Sequence, residues 1–276
     1  MKHYFPDYVR KSENEIGVLL VGCGATGSQV LSGLARIHVS LRALGRPGLD
    51  VVAMDGDRVA VSNIGRQLYS RSDLGRNKAE VFITRVNMFF GLRWKAVPHM
   101  LTARMSAESI PRGFHSQFVI TAVDTVEARE LVAKHVKSDY HLDLGNTRDT
   151  GQVVLGTRRK IAQPKGEEDV VSKLPTVFDL YRDIKVFEKG EIQGPSCSVA
   201  DALKKQDLFI NQAVATQAVH LLWDGFRQGY LTNHGAFINL GAASVRPLPI
   251  DPDVWVRMRG SRKKSVRRKN RLKGLD

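Results

Sequence analysis

The hydrophobic pattern opens on a strand, a glycine turn and a helix. Ile16–Val21 (IGVLLV) is a short unbroken apolar run, the kind a strand shows when both of its faces are covered. The turn Gly22-Cys23-Gly24-Ala25-Thr26-Gly27 follows, and Val30, Leu31, Leu34 and Ile37 then recur at the spacing of one helix face. A second strand, 50–54, ends in Asp55-Gly56-Asp57. Helical periodicity returns over 78–89, and the spacing predicts strands over 94–97 and 117–123 (QFVITAV). Residues 126–136 then read as helix and 140–144 as strand. Strand and helix in alternation predict an α/β fold, Rossmann-like, with a mostly parallel sheet covered on both faces.

Past Gly145 the texture changes. A strand is expected over 152–157, but 158–194 is rich in charge, proline and glycine, with one apolar interruption at 176–181. Thirty-seven residues are long for a loop inside a compact domain, so 158–194 is expected to be a crossover loop or lid. A long helical pattern over 199–223 carries Leu203, Leu208, Ile210, Val214, Ala218, Leu221 and Leu222. Two antiparallel strands, 236–240 and 244–248, are expected to extend the sheet.

Composition narrows the class. With 42% apolar and 25% charged residues, the 276-residue chain has the balance of an ordinary globular protein. No stretch approaches the roughly 20 apolar residues of a membrane-spanning helix, and residues 1–10 have no apolar leader core. A cytoplasmic location without membrane contact is the expectation. Two cysteines, Cys23 and Cys197, are too few for a disulfide framework, and neither sits in a C-x-x-C pair, so no zinc is expected. The net charge of +14 is concentrated at one end. Ten of the 42 Lys and Arg residues lie between Arg257 and Lys273, whereas residues 1–256 carry 32 basic and 27 acidic side chains. We therefore expect one domain over 1–256 and a disordered basic tail over 257–276, with nucleic acid or another polyanion as the partner such a tail attracts.

The glycine turn brings in chemistry. Gly22, Gly24 and Gly27 form G-x-G-x-x-G between a strand and a helix: the first glycine allows the turn, the second lets a phosphate approach the backbone, and the third lets the helix pack closely. The helix start then offers N–H groups and a partial positive charge to that phosphate. Asp55, at the end of the second strand, is placed to accept from a ribose hydroxyl, although it lies 28 residues after Gly27 instead of about 20. The insert HVSLRALGRPGL accounts for the excess. No G-x-x-x-x-G-K-[ST] phosphate loop is present.

The next stretch distinguishes a triphosphate from a dinucleotide. Arg66 and Lys78 are the side chains that hold a polyphosphate, Arg66 by a planar fork and Lys78 as a compact charge. Asn63 and Gln67 add neutral hydrogen bonds, and Asp124, at the end of the fourth strand, offers a carboxylate for magnesium. A nicotinamide-dependent oxidoreductase would leave Arg66, Lys78 and Asp124 without a task. His135, His141 and Asp143 fit ligand spacing poorly, because the first falls on a helix and the others on a strand.

Gly22-x-Gly24-x-x-Gly27, Asp55-x-Asp57, Ser62-Asn63-x-x-Arg66-Gln67, Asp73-x-Gly75-x-x-Lys78 and Val123-Asp124 with Arg129 together resemble the ThiF-type, ubiquitin-activating-enzyme-like adenylating family. The run from Pro195-Ser196-Cys197-Ser198 to Gln206-Asp207-Leu208-Phe209-Ile210-Asn211 is similar to the ThiF proteins of PRTRC plasmid systems. The resemblance implies a single adenylation domain that binds ATP through the positions of Asp55, Asp57, Asn63, Arg66, Gln67 and Lys78, and Mg²⁺ through Asp124. It implies activation of the C-terminal carboxylate of a ubiquitin-like β-grasp partner, and a homodimer in which an arginine near the N-terminus, Arg10 by position, reaches a site. Cys197, placed before a helix, is expected either to take the activated acyl group as a thioester or to be a small buried residue. Cys23 is expected only to pack. A dehydratase-like relative adenylating a modified tRNA base and a nucleotide-binding plasmid-maintenance scaffold are the alternative readings.

Overall fold

A computed structural model of the protein describes residues 1–102, 110–111, 113–181, 200, 203 and 206–259. Its main sheet has eight strands. In chain order these are β2 (Ile16–Val21), β3 (Leu49–Met54), β4 (Lys95–Val97), β5 (Phe118–Thr121), β6 (Tyr140–Asn146), β7 (Thr150–Thr157), β9 (Asn233–Asn239) and β10 (Ser244–Pro249), arranged β10-β9-β7-β6-β5-β2-β3-β4. A separate antiparallel ribbon joins β1 (His3–Tyr4) to β8 (Tyr230–Leu231). Five strands, β6 through β4, run parallel, and β7, β9 and β10 continue the sheet antiparallel. The chain winds from β2 outward to β4, returns to β5 on the other side of β2, and moves away again. That reversal opens a crevice at the carboxyl ends of β2 and β5.

Both faces of the parallel strands are covered, and the side chains alternate between them. Val18 and Leu20 of β2 join the large core with α2 (Ala25–Ala43), α3 (Lys78–Phe90) and the long C-terminal helix α6 (Ile210–Gln228). Leu19 and Val21 point the other way, into a smaller core with Val132 and Val136 at α4 (Val126–His135). An unbroken apolar run therefore signalled a strand buried on two sides. Helices α2 and α6 approach closely at Gly33, where an added Cβ would stand 2.5 Å from Val219 Cγ1. Phe5, Phe118, Tyr140 and Phe226 form an aromatic cluster beneath them, with ring centroids 4.7–5.9 Å apart.

Several boundaries differ from the sequence expectation. The strand expected over 117–123 is confined to Phe118–Thr121, because Ala122–Asp124 turn away to border the crevice. Of the helix expected over 199–223, the described Ala200 and Leu203 are helical, Leu208 and Phe209 are exposed in a turn, and α6 runs from Ile210 to Gln228. Of the expected crossover loop, residues 158–181 pack on the body. Ile161, Leu174, Val177 and Leu180 are buried, and the short helix α5 (Val177–Leu180) starts on β7, where Thr176 crowds Gly156. Residues 182–194 lie outside the described residues. The expected tail also begins too early: a helical stretch over 252–259 includes Arg257, Met258 and Arg259. Trp255 is buried there and donates from its indole N–H to the Pro249 carbonyl at 3.1 Å. Residues 260–276 are outside the description.

Two histidines are held neutral in the interior. His3 donates from Nδ1 to the Val171 carbonyl at 2.6 Å and accepts at Nε2 from the Tyr140 hydroxyl at 2.9 Å; His234 donates from Nδ1 to the Leu155 carbonyl at 2.8 Å. Burial lowers the pKa of each to about 4. Between that value and the ordinary 6.5 the unfolded chain binds protons that the folded chain refuses, so this contribution is complete above pH 6.5 and is lost as pH falls toward 4. Each histidine accounts for up to about 3 kcal/mol. Urea midpoints should fall between pH 6.5 and 4.5, and His3→Gln or His234→Gln should flatten the slope. Equal slopes in variants and wild type would refute the assignment.

Candidate functional site

A cavity of about 920 Å³ fills the crevice. Its parallel-strand side is built on the glycine turn, and the three glycines answer to different constraints. Gly22 takes a φ of +95°, and a Cβ there would meet the Ala122 carbonyl oxygen at 2.5 Å. Gly27 does not border the cavity; its Cβ would stand 1.9 Å from the Gly22 oxygen, so it is a packing glycine. Gly24 borders the cavity and a Cβ there would meet nothing within 4 Å, leaving free space beside the backbone. Gly24 is also the N-cap of α2 and supplies no side-chain bond, and the first turn holds no acidic residue. The helix start thus keeps N–H donors and an uncompensated partial positive charge at the cavity wall.

Asp55 is tied to this turn. Its carboxylate accepts from the Cys23 N–H at 2.6 Å and from the Asp57 N–H at 2.8 Å. Burial raises its pKa, with those two amide bonds opposing the shift. Lys78, nearly buried at the first position of α3, donates to the half-exposed Asp57 carboxylate at 2.8 Å. Asn77 fastens the arrangement: its Oδ1 caps α3 at the Glu80 N–H, and its amide donates to the carbonyls of Asp55 and Asp57 at 2.8 and 3.2 Å. Sequence reasoning passed over Asn77, although an asparagine directly before a helical pattern is a capping signal.

Asn63, Arg66 and Gln67 share one loop but do different work. Asn63 is not among the cavity-lining residues. Its side chain accepts from the Ala60 N–H at 2.9 Å and its carbonyl from the Gln67 N–H at 2.8 Å, shaping the turn that projects its neighbours. Arg66 and Gln67 do line the cavity. Arg66 donates from Nη1 to Gln206 Oε1 at 3.0 Å, while Arg66 Nε and Gln67 Oε1 are buried with no partner among the described residues. Buried polar atoms left unmet beside open space are the mark of a site that expects a polar ligand. Arg66 Nε, a donor in the same cavity as the free space at Gly24, fits a nucleotide polyphosphate, whereas Gln67 Oε1, an acceptor, fits a hydroxyl or amino group of a nucleotide.

Asp124 stands exposed on the cavity rim after β5. Among the described residues no group of three His, Cys, Asp or Glu side chains is placed to hold a metal by itself. Mg²⁺ takes most of its ligands from phosphate oxygens and water, so one carboxylate such as Asp124 fits it. Arg129, which lines the cavity, makes a buried two-pronged ion pair with Asp143, and His141 is bonded to the Thr121 hydroxyl at 2.7 Å. Cys23 is fully buried and burial pushes its thiol pKa up, so it is no nucleophile. Cys197 lies outside the described residues. Arg10 pairs with Asp7 and packs on Gly229, away from this chain's cavity.

Fold and site together define a class, the doubly wound α/β proteins with a crevice at the switch point. Within it, the model of the ThiF family matches residues 5–247, and this chain belongs to the ThiF family. It is 30% identical over 128 residues to the NEDD8-activating enzyme E1 catalytic subunit of Dictyostelium discoideum, across 46% of this chain and 26% of that one. Among solved structures it is similar to MccB of E. coli (TM-score 0.55, 14% identity, 88% of this chain and 64% of MccB) and to PaaA (TM-score 0.55, 15% identity, 88% and 67%). MccB has also been solved with ATP and with a MccA variant. The chain spans about a quarter of its curated relative and under two thirds of MccB. No helix among the described residues is long and apolar enough to cross a membrane.

Proposed function

We propose that this protein adenylates the C-terminal carboxylate of a ubiquitin-like β-grasp protein with ATP and Mg²⁺. The observation that carries the reading is one cavity that brings together the start of α2, Lys78, Asp124 and the Arg66 and Gln67 atoms that have no partner among the described residues. A carboxylate oxygen of the partner bonds to the α-phosphorus as the bond from that phosphorus to pyrophosphate breaks. Negative charge gathers on the departing pyrophosphate, where Arg66 and Lys78 would stabilise it; Asp55 would hold the ribose. Mg²⁺, held by Asp124 and phosphate oxygens, would neutralise further charge. The cavity continues past the nucleotide end to Phe237 and Arg246 on the antiparallel strands, which leaves room for an incoming chain end. A NEDD8-activating relative and an ATP-bound structural neighbour support the same reading. The homodimer and the PRTRC plasmid setting belong to this proposal too.

Mass spectrometry tests it: candidate β-grasp proteins incubated with the enzyme and ATP-Mg²⁺ should gain one adenylyl group at the C-terminal carboxylate. No gain on any of them, with adenylation of tRNA instead, would overturn the partner class. Cys197 has a separate test. Cys197→Ala should form the adenylate at the wild-type rate and lose any adduct cleaved by reducing agent; a surviving adduct would remove the thioester role.

A further inference from the structure

Asn63 shapes the backbone turn that carries Arg66, but the long Arg66 side chain reaches beyond that turn to Gln206. Gly65 beside it adopts a φ of +82°, and the Arg66 N–H reaches the Asn63 carbonyl only at 3.3 Å. A long side chain on such a loop needs an external brace to present its guanidinium in one place. The brace is a row of three side chains. The Thr26 hydroxyl, in the first turn of α2, donates to Asn211 Oδ1 at 2.8 Å; the Asn211 amide donates to Gln206 Oε1 at 2.8 Å; and that same oxygen accepts Arg66 Nη1 at 3.0 Å. Each group has one consistent direction of donation, so the row is fixed in polarity as well as position. Thr26 and Asn211 are buried, with 7% and 6% exposure, and all four residues line the cavity.

The row spans three parts of the chain that are distant in sequence: the glycine turn, the loop after β3, and the start of α6. Of these, α6 is the rigid member, locked on α2 by the close contact of Gly33 with Val219. Building on the nucleotide reading above, we infer that Asn211 is a positioning residue, which fixes Arg66 relative to the phosphate-facing start of α2 so that both ends of one polyphosphate are met at once. Alanine at 211 leaves Gln206 unanchored and lets Arg66 sample many rotamers. Aspartate would reverse the donor that Gln206 needs.

Calorimetric titration of ATP-Mg²⁺ into wild type, Arg66→Ala, Asn211→Ala and the double variant tests the inference without any partner protein. Asn211→Ala is expected to weaken ATP about 10-fold alone but less than about 2-fold once Arg66 is gone, since the two act as a unit. Independent factors that multiply in the double variant, or wild-type affinity in Asn211→Ala, would overturn it. If Asn211→Ala does not fold, Gln206→Leu at a partly exposed position takes its place with the same expectation. Wild type that binds no ATP would instead sink the nucleotide reading itself.

Discussion

Gly24→Leu is expected to weaken ATP binding at least about 100-fold, a loss of roughly 2.7 kcal/mol, while leaving the melting midpoint within a few degrees of wild type. The asymmetry follows from local geometry. An added Cβ at Gly24 meets no atom of the described residues within 4 Å, so folding has less to lose there than at Gly27. The space it fills is the space a phosphate needs to reach the α2 N–H groups. Gly27→Ala should behave in the opposite way. Its Cβ would stand 1.9 Å from a backbone oxygen, so α2 must shift, at a cost of about 3 kcal/mol in unfolding stability. Thermal melts and ATP titrations on the two variants separate these roles. Equal loss of stability in both would show that the glycines make only a structural turn.

Arg66→Ala should slow adenylate formation about 10²- to 10³-fold in single-turnover quench experiments. Removing one fixed cation from a partly dry site costs that much when it faces charge that grows in the transition state. Burial already lowers the pKa of Arg66, yet guanidinium stays protonated at any working pH, so no pH dependence should arise from it. Lysine at 66 restores charge without the planar fork, and partial recovery is expected. Unchanged kinetics in Arg66→Ala would refute that role.

The parallel half of the sheet was legible because β2, β3 and β5 are buried on both faces, and continuous apolar runs leave little else to fold into. The glycine motif was legible for the same reason that it works: Gly22 and Gly27 have backbone needs that no other residue meets, and Gly24 leaves space beside the backbone. Asn63 shows the limit. Its Oδ1 accepts from the Ala60 N–H at 2.9 Å, a turn-shaping role that the residue type alone does not reveal. Thr26, Gln206 and Asn211 were beyond reach because their bonds cross up to 185 residues of sequence. The 252–259 helix is different. Asp251 followed by Pro252 is a helix-start signal, and Asp251 does accept from the Asp253 N–H at 2.8 Å, but the charge of the stretch beyond it drew the reading toward a tail.

The most direct measurement is exchange of labelled pyrophosphate into ATP. In the proposed reaction adenylate formation is reversible, so label should enter ATP only when enzyme, Mg²⁺ and a β-grasp protein with an intact C-terminal carboxylate are all present. Exchange without that partner, or none with any β-grasp partner although ATP binds, would contradict the account.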